Sequence, residues 1–198
     1  MLILGVNGSP NLQGNTAFMV DLALQEVKTL GGETAIIQVN DVLDTMSSPF
    51  CTDCSKPCKG ICAEGTKMEE VLALMRKADG VIFGSPVYFG SLSGQMKAFF
   101  DKMRCLRGEQ ALLNTVGAAM AVGHTTYGGE ERAIGVMQDA MLVYGMTVVG
   151  NGHASFNCGH FGAGMTDPAK DNQEGKDKII AVARRVYEVA AATAGLRS

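Results

Sequence analysis

Four cysteines, Cys51, Cys54, Cys58 and Cys62, stand as C-x₂-C-x₃-C-x₃-C within twelve residues. These offsets could line one face of a helix, but Pro57, Gly60 and Gly65 interrupt any regular helix there. Four thiols on a short flexible segment can instead converge on one soft metal centre, and thiolates favour iron–sulfur clusters or zinc. The compact run favours a cluster, since zinc sites usually draw together two separated knuckles. Zinc, and inert or redox-regulatory thiols, stay open as alternatives. Cys105 reads as helical core and Cys158 as a stray thiol in a glycine-rich loop.

A second chemical segment is Gly8-Ser9-Pro10-Asn11-Leu12-Gln13-Gly14-Asn15-Thr16. It is dense in hydroxyls, amides and glycine, and it precedes a helical pattern. Glycine lets backbone N–H groups curl around a small anion, and the following helix adds unpaired N–H donors and the positive end of its dipole. Ser9, Asn15 and Thr16 can add side-chain donors. The plainer reading is a turn with Asn15 or Thr16 as N-cap. The lysine-bearing G-x-x-x-x-G-K-[ST] loop and the G-x-G-x-x-G fingerprint are both absent. A neutral ring of donors suits a single phosphate monoester, for which FMN is the common cofactor in a doubly wound sheet.

A third segment, Asp79–Ser91, is an apolar run ending in Gly84-Ser85-Pro86-Val87-Tyr88-Phe89-Gly90. Pro86 removes a donor and ends strand pairing. Gly84 and Gly90 permit close backbone approach, and Tyr88 and Phe89 could border a planar heteroaromatic ring. The same two aromatics could equally cap the core.

These segments need elements to hold them. Short apolar runs at Leu2–Val6, Thr34–Val39, Gly80–Gly84, Val116–Val122 and Met146–Val149 predict strands, the continuous type that is buried on both faces. Helical patterns fall at about 16–29, 67–77, 92–104, 130–144 and 176–194. This alternation predicts a parallel sheet with helices on both sides. Such a sheet binds its ligand at the carboxyl ends of its strands. Residues 40–66 and 151–175 fit neither pattern and read as long loops. The 198 residues suit one domain spanning 1–198, with a cysteine-rich insertion at about 45–66.

Composition excludes several classes. Hydrophobic residues make up 46% and charged residues 19%, which is ordinary for a globular chain. A formal net charge of −3, with no basic cluster beyond Arg184-Arg185, argues against a nucleic-acid partner. The first residues show no charged n-region and no apolar run of signal-peptide length, and no run approaches the roughly 18 apolar residues of a membrane span. The expectation is a cytoplasmic protein with no membrane partner.

Taken in order, GSPNLQGNT, ADGVIFGSPVYFGSLSGQMKAFFDKM, Gly123–Gly129 and EERAIGVMQDAMLVYGMTVVG resemble the NADPH-dependent FMN reductase family and its iron–sulfur flavoprotein relatives over roughly residues 1–150. The resemblance implies a flavodoxin-like three-layer sandwich with a five-stranded parallel sheet in the order 2-1-3-4-5. It implies an FMN phosphate held by Ser9, Gly14, Asn15 and Thr16, with Asn11 in the same cradle. Pro86, Val87, Tyr88, Phe89 and Gly90 would border the isoalloxazine ring, and Gly123, His124, Gly128 and Gly129 would form a third flavin-facing loop.

The iron–sulfur relatives carry a compact cysteine motif at the same place, usually resembling C-x₂-C-x₂-C with a longer gap to the fourth thiol. This chain departs by one inserted residue and a short final gap. By that resemblance the four cysteines would hold an iron–sulfur cluster of the 4Fe-4S type. The implied function is FMN-dependent electron transfer, coupling flavin to the cluster, with no catalytic acid or base required. NAD(P)H is a candidate substrate, and a one-electron carrier protein or a quinone or other small molecule a candidate acceptor. A clusterless NAD(P)H-dependent FMN or quinone reductase, and a non-enzymatic redox sensor or interaction protein, are the alternatives. The family habit of closing the flavin with a neighbouring subunit implies a homodimer or homotetramer.

Overall fold

The computed structural model describes residues 1–155 and 158–197. Its sheet is built from β1 (Leu2–Asn7), β2 (Glu33–Gln38), β3 (Gly80–Pro86), β4 (Val116–Gly123), β5 (Thr147–Val148) and β6 (Ala163–Thr166). The order is β2-β1-β3-β4-β5, with β6 also pairing β4, and all pairings are parallel. The helices are α1 (Asn15–Thr29), α2 (Val39–Leu43), α3 (Lys67–Met75), α4 (Gly94–Lys102), α5 (Arg104–Gly108), α6 (Glu130–Val143) and α7 (Gln173–Ala192).

The three layers follow from the two-residue period of the strands. Along β3, Val81 and Phe83 point into one core with Met68, Met75, Met96, Phe99 and Met137. Ile82 points into the other, against Met19, Val20, Val27, Ile179 and Val186 of α1 and α7. Helix α1 seats closely because β1 and β3 offer it glycine: a Cβ at Gly5 or Gly84 would lie 2.6 or 2.7 Å from a Val20 methyl. Gly84 therefore serves helix packing. Among the described residues no helix is long and apolar enough to cross a membrane.

Two expected loops contain structure. Residues 40–66 hold most of α2 and a 3₁₀ turn at Ile61–Ala63. Residues 151–175 hold β6, a 3₁₀ turn at Ala169–Asp171 and the start of α7. The fifth strand position is thus split. β5 pairs the start of β4 (Val116↔Thr147), and β6 pairs its end (Gly123↔Thr166). The expected helix over 92–104 starts at Gly94 and breaks at Met103, and α5 follows from Arg104.

Candidate functional site

Three loops leave the carboxyl ends of β1, β3 and β4 and meet at one sheet edge. The first is wound by its own polar side chains. Asn7, fully buried at the end of β1, accepts from Ser9 N–H (3.1 Å) and donates to Gln38 Oε1 (2.7 Å). Ser9 Oγ accepts from Asn11 N–H (3.1 Å), and Asn11 Oδ1 accepts from Gln13 N–H (3.0 Å). These short Asx- and Ser-type turns leave the Ser9 hydroxyl proton available to a ligand.

The N-cap of α1 is Gly14 and, among the described residues, no side chain caps it. The plainer reading, Asn15 or Thr16 as cap, is therefore not what forms. An uncapped first turn beside a hydroxyl donor is a cradle for an anion, so the residues present fit a phosphate monoester. The side chain of Asn15 is placed elsewhere than expected. Its Nδ2 donates to Asp167 Oδ1 (2.7 Å) and its Oδ1 accepts from Ala169 N–H (3.1 Å), leaving mainly its backbone N–H for a phosphate.

The first loop is tied to the second through Ser93, the N-cap of α4. Its buried hydroxyl donates to Gly8 O (2.6 Å) and accepts from Met96 N–H (3.1 Å). In the second loop, Val87 N–H donates to Val122 O (2.9 Å), and Tyr88 and Ser91 exchange backbone hydrogen bonds at 2.9 and 3.1 Å. This tight turn takes Phe89 (φ 50°) and Gly90 (φ 74°) into the left-handed region. Phe89 is fully exposed and Tyr88 is 45% exposed. Phe89 does not cap the core, and both rings rim the mouth of the site.

The third loop, 124–129, touches the second: a Cβ on Gly129 would lie 3.2 Å from Gly90 Cα, and Gly129 itself holds φ 100°. A Cβ on Gly123 would lie 2.2 Å from Glu130 Oε1, so this glycine makes room for that carboxyl group, whereas one on Gly128 would first meet Thr125 O, 2.7 Å away. His124 is largely exposed, with its Nδ1 3.4 Å from Asp167 Oδ2. Tyr127, also fully exposed at φ 61°, was missed by the sequence reading, as were Asn7, Ser93 and Asp167.

The cysteine run lies on the outer face of the α4–α5 layer. Asp53 pairs with Arg104 and with Lys56 (2.9 Å), and the Arg104 guanidinium, then the Lys56 ammonium, hold its carboxyl below the ordinary carboxylate range. Cys51 lies beside Arg104. Cys51 and Cys54 are exposed, whereas Cys58 and Cys62 are half-buried against the core that contains Cys105. Gly60 crosses directly over Cys105, whose Sγ would lie 3.3 Å from a Cβ there, and burial pushes that thiol's pKa up. Four free thiols suit a soft metal chemically. Their arrangement does not: among the described residues no group of three or more His, Cys, Asp or Glu side chains is gathered to hold an ion. Cys158 is exposed, as a stray thiol would be.

Comparison with known proteins agrees with this geometry. Residues 1–161 match the family model described as NADPH-dependent FMN reductase. An iron–sulfur flavoprotein of Methanocaldococcus jannaschii is 36% identical over 192 residues, covering 96% of this chain and 97% of its own. One from Methanosarcina thermophila is 33% identical over 192 residues, covering 96% and 95%. Among solved structures, the WrbA-like flavodoxin of Agrobacterium tumefaciens superposes with a TM-score of 0.67 at 15% identity, covering 96% of each chain, which bears on the fold alone.

Proposed function

The chain belongs to the NADPH-dependent FMN reductase family, and from that premise we propose that it is an FMN-dependent oxidoreductase of the iron–sulfur flavoprotein type. The observation that carries the FMN reading is the uncapped N-terminus of α1 beside the Ser9 hydroxyl, at the edge where three loops converge. FMN, when bound, supplies transfer of one or two electrons. The protein's own work is binding and orientation. Ser9, Gly14, Asn15 and Thr16 hold the phosphate, with Asn11 shaping the turn. Pro86–Gly90 border the ring on one side, and Gly123, His124, Gly128 and Gly129 face it from the other. NAD(P)H is the electron donor in this reading, and a quinone, another small molecule or a one-electron carrier protein the acceptor.

The cysteine loop is where a 4Fe-4S cluster would sit, a reading supported by the four free thiols and by the relatives' names. The dispersed thiols favour a second reading, a clusterless NAD(P)H-dependent reductase, so no electron path is drawn through the loop. Exposed Phe89 and Tyr127 at the rim support closure by a second subunit, hence a homodimer or homotetramer. Light scattering on the flavin-loaded protein tests this; a strict monomer with full FMN and activity overturns it.

Anaerobic purification followed by an absorption spectrum, with FMN, iron and sulfide quantified, separates the readings. Flavin accompanied by iron and sulfide in equal amounts supports the cluster. Flavin bands without iron leave the clusterless enzyme, and absence of flavin after gentle purification defeats both.

A further inference from the structure

Asp167 lies just beyond β6, past the residues that match the family model. It makes three connections to the cofactor edge. Its Oδ1 accepts from Asn15 Nδ2 (2.7 Å), at the first residue of α1. Its Oδ2 lies 3.4 Å from His124 Nδ1, and its backbone N–H donates to Gly123 O (3.0 Å), both at the mouth of the third loop. Two residues on, Ala169 N–H donates to Asn15 Oδ1 (3.1 Å), so the Asn15 amide is held from both ends. The Asp167 carboxylate thus bonds to the first residue of α1 with one oxygen and approaches the third loop's His124 ring with the other.

We propose that Asp167 is a positioning residue of the cofactor site, a latch that fixes the phosphate-binding turn of α1 relative to the loop facing the flavin ring. The inference rests on the FMN reading above. Asp167 does not touch the phosphate in this scheme; it acts through the Asn15 amide, the Gly123 carbonyl and the His124 ring. The carboxylate suits this role because one oxygen serves each loop. Its 42% side-chain exposure means that removing it opens no cavity in the core.

The test is titration of FMN, and separately riboflavin, into the flavin-free full chain, read by flavin fluorescence, with thermal unfolding of the same flavin-free proteins. Asp167→Ala is expected to weaken FMN by about 10- to 100-fold, the range for losing a hydrogen bond to a charged group. Riboflavin, which has no phosphate to position, should lose less. Asp167→Asn, which keeps an acceptor for Asn15 Nδ2, should recover most of the affinity. Asn15→Ala combined with Asp167→Ala should lose little more than either alone, as expected for residues in one network. An unchanged FMN affinity in Asp167→Ala, an Asp167→Asn variant as weak as the alanine, or fully additive losses would each overturn the latch. A wild-type chain that binds no FMN would instead defeat the functional reading itself.

Discussion

Removing the Ser93 hydroxyl should destabilise the protein through a single stranded carbonyl. In Ser93→Ala, Met96 N–H loses its cap, at a cost of about 1 kcal/mol. Gly8 O loses a 2.6 Å donor in a fully buried setting, at a further ~1–3 kcal/mol. The backbone of residue 93 keeps its bond to Ser85 Oγ, so the helix start itself is retained. Together these give about 2–4 kcal/mol. With a urea slope near ~3 kcal/mol per molar for a chain of this size, the midpoint should fall by about 1 M. Thr66→Ala is the matched control. Thr66 caps α3 through Met68 N–H (3.2 Å) and donates to Ala63 O (2.7 Å), but it is only half-buried, so water can replace what is lost. Its midpoint should move by roughly 0.3 M, following the ~1 kcal/mol of an ordinary cap. If the two variants shift equally, burial of the Gly8 carbonyl is not what makes Ser93 matter.

Other perturbations probe the frame and the site. Arg197→Ala removes bonds to Asp79 Oδ1 (3.1 Å) and Ala190 O (2.6 Å) from a side chain that is 9% exposed. It should cost about 1–3 kcal/mol, seen as a lower Tm. Gly129→Ala forces an L residue to φ 100° and a Cβ against Gly90. It should cost at least ~1 kcal/mol and weaken FMN by prising two loops apart, read by urea unfolding and flavin titration. Burial pushes the Tyr144 phenol pKa far up, while its hydroxyl donates to Phe100 O (2.5 Å). The folded state therefore holds this proton more tightly than the unfolded chain does. Stability present below the unfolded value of about 10 should be lost as pH rises above it. Tyr144→Phe should flatten that alkaline loss in pH-dependent denaturation while costing roughly 1 kcal/mol at neutral pH.

The parallel sheet was legible because β1, β3 and β4 are continuous apolar runs, a pattern that burial on both faces requires. β6 was not, since Ala-Gly-Met-Thr is four residues long with a glycine inside and gives no period to read. α2 and α5, five residues each, are likewise too short for a helical period. In the site, the first two loops were found from their residue content and the third from the family resemblance. The roles of particular side chains were not. Asn15 looks like a phosphate donor in sequence because its partner, Asp167, is 152 residues away. Gly123 reads by resemblance as part of a flavin-facing loop, yet the nearest claim on its space is the Glu130 carboxyl group. Tertiary pairing of this kind leaves no local signal.

The claim that FMN is held by its phosphate at α1 is tested most directly by fluorescence titration of FMN against riboflavin on the flavin-free protein. The account predicts quenching at one FMN per chain, with riboflavin bound at least about tenfold more weakly, in line with a charge-assisted contact. Equal affinity for the two flavins, or no binding of either, would contradict it.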